Sequence, residues 1–273
     1  MADGQGSGFR RPENETSGSY KQSLWRLEDG VAVLSMNRPE KHNAGAQGIG
    51  ELMDWAYGAP EVRCILLRGE GPSFNSGRDT SQLGKRPEGV SDFSFVRHSQ
   101  EGVFRMMDTA KPIVAAIQGY AIGGGFEMAL RADIRVAAED ACFFLPEIKY
   151  GILPDTGGTQ ILTTLIGPSK TKYLVMTGDR IDAKTALEWG VVDWVVPRAE
   201  LDKKAFEVAH KLAAGPPLAV AMAKQLVDQV WAGTVRSGIR QELLAQSYLF
   251  KTDDYQETRA ALREDRPPVY KGK

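Results

Sequence analysis

Four short apolar runs constrain this chain more than anything else in it: "VAVLSM" (31–36), "CILLRG" (64–69), "IVAAIQG" (113–119) and "IRVAAE" (134–139). Each is bounded by turn-forming or charged residues, as expected of strands in a covered sheet. Helical periods lie between them. Over 94–108, for example, Phe95, Val96, Phe104 and Met107 can share one face. Strands alternating with helices predict an α/β domain. After about residue 198 the character changes. "ELDKKAFEVAHKLAAGPPLAVAMAKQLVDQVWAG" reads as a helix, a Gly-Pro-Pro break and a second amphipathic helix, and helical periods continue over 235–250 and 253–264. Such a tail covers either its own core or a neighbouring subunit, and the pattern does not choose between them. Residues 1–19, rich in Gly, Ser and charge, have almost nothing to bury and are expected to be a disordered tail. The expected organisation is therefore a tail over 1–19, a core domain over 20–200 and a C-terminal helical region over 201–273.

Composition removes several function classes. A net charge of -1 gives no bulk attraction to nucleic acid or to an anionic membrane surface. Cys64 and Cys142 are the only cysteines, and neither sits in a CxxC or beside a histidine at ligand spacing. A disulfide scaffold or a zinc site is not expected, and no metal is assigned. No apolar run reaches the length of a membrane span, and the first nineteen residues lack the apolar centre of a signal peptide. The expectation is a soluble cytoplasmic protein.

The chemistry concentrates in three segments. In "AIGGGFEMALRADI" (121–134), Gly123, Gly124 and Gly125 follow a strand-like run and open a helix carrying Glu127. A glycine turn into a helix exposes backbone N–H groups at the positive end of the helix dipole and admits close approach of a ligand. The outline is that of an oxyanion site, or of tight helix–strand packing. Neither G-x-x-x-x-G-K-[ST] nor the dinucleotide fingerprint is present, so a nucleotide cofactor is not expected. In "FFLPEIKYGILPDTGGTQILTTLIG" (143–167), Glu147 stands among Phe143, Phe144, Leu145 and Ile148. A carboxyl in such surroundings pairs, neutralises, works as an acid or base with a raised pKa, or turns outward to water. In "GPSFNSGRDTSQL" (71–83), Ser76, Gly77 and Arg78 form either a second backbone donor or a polar surface loop.

Together these segments resemble the crotonase (enoyl-CoA hydratase/isomerase) superfamily, in order from "SMNRPEKHNA" (35–44) to "TGDRIDAKTALEWGVVDWVV" (177–196), with the likeness covering roughly 24–265. The resemblance implies a spiral of ββα turns followed by a helical trimerisation region. The implied substrate is an acyl-CoA thioester, with no cofactor, because coenzyme A is part of the substrate. The implied assembly is a homotrimer or homohexamer. By position, the oxyanion-hole amides fall on Arg78 and Gly124, and the two catalytic glutamates of the hydratases match Glu127 and Glu147. Lys41, His42, Ser76, Gly77, Asp79, Thr80 and Gly123 are implied along the coenzyme A and substrate channel. Alanine is more usual in the family where Arg78 stands, so its guanidinium has to point elsewhere. Asp155 replaces a common glycine and is either a cap of the following helix or a third carboxyl facing the pocket. His98 is expected in solvent, residues 81–104 are expected to line the acyl pocket, and Arg266 is the remaining basic candidate for phosphate in the tail.

Hydration needs a base for water at C3, an acid for C2, and donors for the oxyanion, each donor worth about 3–4 kcal/mol in comparable holes. Neighbouring carboxyls can hold different protonation states. Glu147, with its apolar flanks, is the expected acid, and Glu127 is expected to hold the water. The leading expectation is an enoyl-CoA hydratase. An isomerase using mainly Glu147, a hydrolase or ring-opening enzyme, and a catalytically silent acyl-CoA binder of the same fold are the alternatives.

Overall fold

The structure, a computed structural model, describes residues 8–273 except 83 and 86, and only the backbone of 232. The four apolar runs become adjacent strands. β1 (Ser17–Tyr20), β2 (Ser23–Glu28), β3 (Val31–Met36), β4 (Cys64–Gly69), β5 (Ile113–Ile117), β7 (Ile134–Ala138) and β10 (Trp194–Val196) form one sheet in the order β1-β2-β3-β4-β5-β7-β10. The first two pairings are antiparallel, and from β3 onward every neighbour is parallel, with Val31 opposite Cys64, Ile65 opposite Ile113 and Val114 opposite Ile134. A small second sheet, β6-β8-β9, combines β6 (Tyr120–Ile122), β8 (Cys142–Phe144) and β9 (Ile181–Asp182).

The strands read as nearly continuous apolar runs because both faces of the large sheet are buried. Ala32, Leu34, Ile65, Leu67, Ala115 and Ile117 face the main core, which α1 (Ile49–Gly58), α2 (Asp92–Asp108) and α3 (Gly124–Leu130) close. Their sequence neighbours Val31, Val33, Cys64, Leu66, Val114 and Ala116 face the other way, against Leu201, Ala205, Val208 and Ala209 of α6 (Leu201–Ala213). Burying one such side chain contributes roughly 1.5–3 kcal/mol, so the alternation fixes the register on both faces. The remaining helices are α4 (Gly158–Thr177), kinked at Gly167-Pro168, then α5 (Ala183–Trp189), α7 (Pro217–Leu249) and α8 (Asp253–Arg263).

The expected domain division is corrected in two places. Within the supposed tail, Ser17–Tyr20 pairs with β2, and Phe9 is buried with its ring 5.1 Å from Tyr20 and 5.8 Å from both Trp25 and Trp55. One aromatic anchor in a polar stretch suffices, because edge-to-face rings add to the area each buries. Residues 1–7 lie outside the described residues. At the other end, α6 is a layer of the core, and α7 lies on α2 and α4 of its own chain with Val235, Ile239 and Leu243 buried. The opposite face of α7 remains apolar and open: Leu218, Met222, Leu226 and Val230 recur every fourth residue, with Leu218 79% and Val230 87% exposed. Among the described residues no helix is long and apolar enough to cross a membrane.

Candidate active site

One cavity of about 540 Å³ collects the residues expected at the catalytic centre and along the channel: Glu127, Glu147, Arg78, Gly124, Lys41, His42, Ser76, Gly77, Asp79, Thr80, Gly123 and Asp155. The loop after β4 is drawn to it by pairing. Asn75 N–H donates to Tyr120 O (3.0 Å), Ile122 N–H donates to Asn75 O (3.0 Å), and Ser76 N–H donates to His42 O (2.9 Å). Gly77 has φ 82°, and a Cβ there would stand 2.7 Å from Ile122 O and 3.3 Å from the Gly124 nitrogen. Glycine thus brings the Gly77-Arg78 turn against the start of α3. The amides of Arg78 and Gly124 have no acceptor among the described residues, and both residues face the cavity. Two unpaired N–H groups on one cavity wall can bind an oxyanion.

The three glycines serve three different needs. Gly123 has φ 52°, and a Cβ on it would meet Glu147 Oε1 at 2.5 Å. Gly125 abuts Asn75, whose carbonyl oxygen would lie 2.2 Å from an added Cβ. Gly124 has open space within 4 Å of that position and an ordinary φ, so its missing side chain leaves the cavity clear rather than relieving the backbone.

Glu127 is 2% exposed and fully oriented. Oε1 accepts from Thr156 N–H (2.9 Å) and Gly158 N–H (2.8 Å), and Oε2 accepts from the Thr156 hydroxyl (2.6 Å). A carboxylate has about four lone-pair sites. These three bonds leave one, on Oε2. Glu147 follows β8 on a single 3-10 turn, Pro146–Tyr150, with its Oε2 buried and without a hydrogen-bond partner. Burial first, then the charge of Glu127, holds its carboxyl well above the usual range; Asp155 adds to this and Arg78 opposes it. The pair therefore has the asymmetry expected of an acid beside an oriented base.

Asp155 is not a helix cap. Gly157 holds the N-cap position of α4, while Asp155 lines the cavity. Burial, then Glu127, pushes its carboxyl up to about 7 against the pull of Arg78 and a hydrogen bond from Gln246. The Arg78 guanidinium lies 4.8 Å over the ring of Phe95, on the cavity side where it bears on Glu147 and Asp155. Asp79 is anchored by Ser81 N–H (3.0 Å) and by Arg38 (2.9 Å). His42 Nδ1 lies 2.8 Å from the Ser73 hydroxyl, and Lys41 reaches the cavity rim.

Two expectations are revised and one holds. None of the described residues of 81–104 lines the cavity; Phe144, Tyr150, Ile152 and Leu153 do so instead. The Arg266 guanidinium is held by Glu257 (2.6 and 3.0 Å) and Glu264 (2.6 Å) and is not free for phosphate. His98 is exposed beside Glu101, as expected. Residues absent from the sequence reading are Arg180, Thr156 and Gln246 in the cavity and Glu242 behind it. Gln246 and Glu242 are four apart on α7, a spacing visible in the sequence, but nothing local says that this helix folds back on the site. Among the described residues no group of three or more His, Cys, Asp or Glu side chains is arranged to hold a metal ion.

The family model "Enoyl-CoA hydratase/isomerase" matches residues 26–273. Carnitinyl-CoA dehydratases from Salmonella heidelberg and Salmonella typhimurium are 37% identical over 262 residues, covering 92% of this chain and 99% of theirs. Among solved structures, an enoyl-CoA hydratase from Mycobacterium avium subsp. paratuberculosis superposes with TM-score 0.81 at 27% identity, covering 92% of this chain and 98% of its own. A carnitinyl-CoA dehydratase from Mycobacterium avium superposes with TM-score 0.80 at 30% identity, covering 93% of this chain and all of its own.

Proposed function

The chain belongs to the enoyl-CoA hydratase/isomerase family and is a lyase of the hydratase type, and we propose that it adds water across the 2,3 double bond of an enoyl-CoA thioester. The observation that carries this reading is the single open lone pair of Glu127 in the same cavity as Glu147, whose buried Oε2 has no hydrogen-bond partner and whose carboxyl burial holds well above the usual range. The amides of Arg78 and Gly124 receive the thioester oxygen and stabilise the enolate as it forms. Glu127 Oε2 orients a water, takes its proton as oxygen bonds to C3, and Glu147 gives its proton to C2. One proton then returns between the coupled carboxyls to restore both. Run backwards, the same steps dehydrate a 3-hydroxyacyl-CoA. No cofactor is required beyond the coenzyme A that the substrate brings, and Lys41 and His42 at the rim suit its phosphate-bearing arm.

A second reading concerns the acyl group. Asp155 and Gln246 put a carboxyl and an amide where a purely hydrocarbon chain gains nothing. An acyl group ending in a cation, such as the one implied by the relatives' names, suits that end. The assay is loss of enoyl-thioester absorbance with crotonyl-CoA and with its trimethylammonium counterpart, crotonobetainyl-CoA. Hydration of at least one is expected, with the cationic substrate preferred in kcat/KM by about tenfold, the worth of one modest charge interaction. If both enoyl thioesters persist while a 3-enoyl-CoA is converted to the 2-enoyl isomer, the protein is an isomerase.

The open apolar face of α7 supports assembly with further copies of the chain, since contiguous exposed apolar surface on this scale marks an interface. A trimer or a dimer of trimers is expected in sedimentation, and a monomer at micromolar concentration would overturn it.

A further inference from the structure

Four consecutive residues, Thr156 to Thr159, are shared between two carboxylic acids that approach from opposite sides. The amides of Thr156 and Gly158 donate to Glu127 of α3, while the amide between them, Gly157 N–H, donates to Glu242 Oε2 of α7 (3.0 Å). The Thr159 hydroxyl donates to Glu242 Oε1 (2.6 Å). Arg131 Nη1 donates to Thr156 O (2.8 Å), and Gln100 Nε2 donates to Asp155 O (2.9 Å). The turn is closely packed but has no side chain at its centre to direct its amides: Gly157 has φ 106°, and a Cβ on Gly158 would stand 2.9 Å from Pro154.

We infer that Glu242 is a positioning residue: from α7 it clamps the Thr156–Thr159 turn, and through that turn it holds Glu127 with its one open lone pair facing the substrate. The inference rests on Glu127 serving the proposed hydration. Glu242 is 4% exposed, so an acid at this depth has no role in solubility. A carboxyl is suited because two acceptor oxygens can take an amide and a hydroxyl two residues apart, which a single hydroxyl or carbonyl cannot. Burial, then the charge of Glu127, pushes Glu242 up to about 8, with Asp155 adding to the shift and the bonds from Thr159 and Gly157 opposing it. Arg131, just beyond the C-terminus of α3, faces the same group. Glutamine has the shape of the Glu242 side chain and keeps one acceptor oxygen.

The test measures kinetics and amide exchange together. In Glu242→Ala the turn loses both of its hydrogen bonds to that side chain, from Gly157 N–H and from the Thr159 hydroxyl. kcat is expected to fall about 10- to 100-fold, the usual consequence of misplacing a catalytic group by about an ångström, with KM within about twofold. Exchange of the 156–158 amides should rise about tenfold or more, while the middle of α7 is unchanged. Glu242→Gln, which keeps an acceptor for Gly157 N–H, should recover most of kcat. Thr159→Val, removing only the hydroxyl, should shift kcat and exchange in the same direction by less, and it decides the matter if Glu242→Ala does not fold. Unchanged exchange at 156–158 overturns the clamp. Raised exchange with unchanged kcat, or a change in KM alone, reduces Glu242 to a structural residue. A parent protein that hydrates no enoyl-CoA, with exchange still raised in the variants, keeps the clamp and removes the hydratase reading instead.

Discussion

Glutamine in place of Glu127 or of Glu147 is expected to lower kcat for enoyl-CoA hydration by about 10²- to 10⁴-fold in each case, the range for losing a positioned acid or base. The two losses have different origins. In Glu127→Gln the amide oxygen can still accept from Thr156 and Gly158, so the turn stays in place, but the nitrogen now occupies the position of the oxygen whose lone pair was open. Water loses its proton acceptor, and the fold is spared. In Glu147→Gln a carboxyl that had no partner for Oε2 is replaced by an amide of the same shape, so stability changes little while the proton for C2 disappears. Thermal unfolding measured beside kcat separates chemistry from folding. Hydration near the parental rate in Glu127→Gln would sink the two-carboxyl mechanism. Isomerase activity surviving in that variant, with hydration lost, would show that Glu147 alone suffices for the alternative reaction.

Alanine at Gly124 should be nearly as damaging, for a steric reason. The added methyl meets no protein atom within 4 Å and strains no backbone angle, so the melting temperature should stay close to that of the parent. The space it enters is the cavity beside the Gly124 amide, where the thioester oxygen must come within roughly 3 Å of the nitrogen. Keeping that oxygen away forfeits about 3–4 kcal/mol of stabilisation that belongs to the developing enolate, or roughly 10²- to 10³-fold in kcat. Coenzyme A binding, made elsewhere in the channel, should weaken far less. The neighbouring glycines provide the contrast: Gly123→Ala drives a Cβ into Glu147 at a positive φ, and Gly125→Ala drives one into the Asn75 carbonyl, so both should unfold more easily. A stable Gly124→Ala protein that hydrates at the parental rate would return Gly124 to a packing role.

What could be read without coordinates was whatever is local. The four apolar runs are strands at the places where they were read, because a largely apolar stretch of five or six residues between turn residues is too short for a helix. Helix 94–108 differs from α2 only at its start, where Ser91 rather than a later residue caps it. The glycine turn and Glu127 were legible as a motif, since the turn, the helix start and the first-turn carboxylate all lie within five residues, whereas Glu147, twenty residues on, could locally be a carboxyl turned to water and was assigned only through the resemblance. The tail was misread because composition averaged over nineteen residues hides one phenylalanine, and burial of Phe9 depends on Trp25 and Trp55, which the tail itself does not contain.

The sequence by itself therefore determined the strands, the helices and the chemistry carried by single short segments. Tertiary structure alone decided how those segments meet. Asp155 could be a cap or a pocket carboxyl on local grounds, and only the placement of Gly157 at the start of α4 made it the latter. α6 could cover any apolar surface, and the exposed rear face of the parallel sheet took it. Glu242 and Gln246 read as polar positions on a long amphipathic helix. They became parts of the site when α7 lay back on α2 and α4, where Glu242 accepts from Gly157 N–H and Gln246 from Leu153 N–H, each more than eighty residues away in sequence. The physical reason is common to all three. Backbone propensity and hydrophobic period act over a few residues. The burial of a carboxyl, the pairing of its oxygens and the direction in which its pKa moves depend on groups that only the closed fold brings within hydrogen-bonding distance.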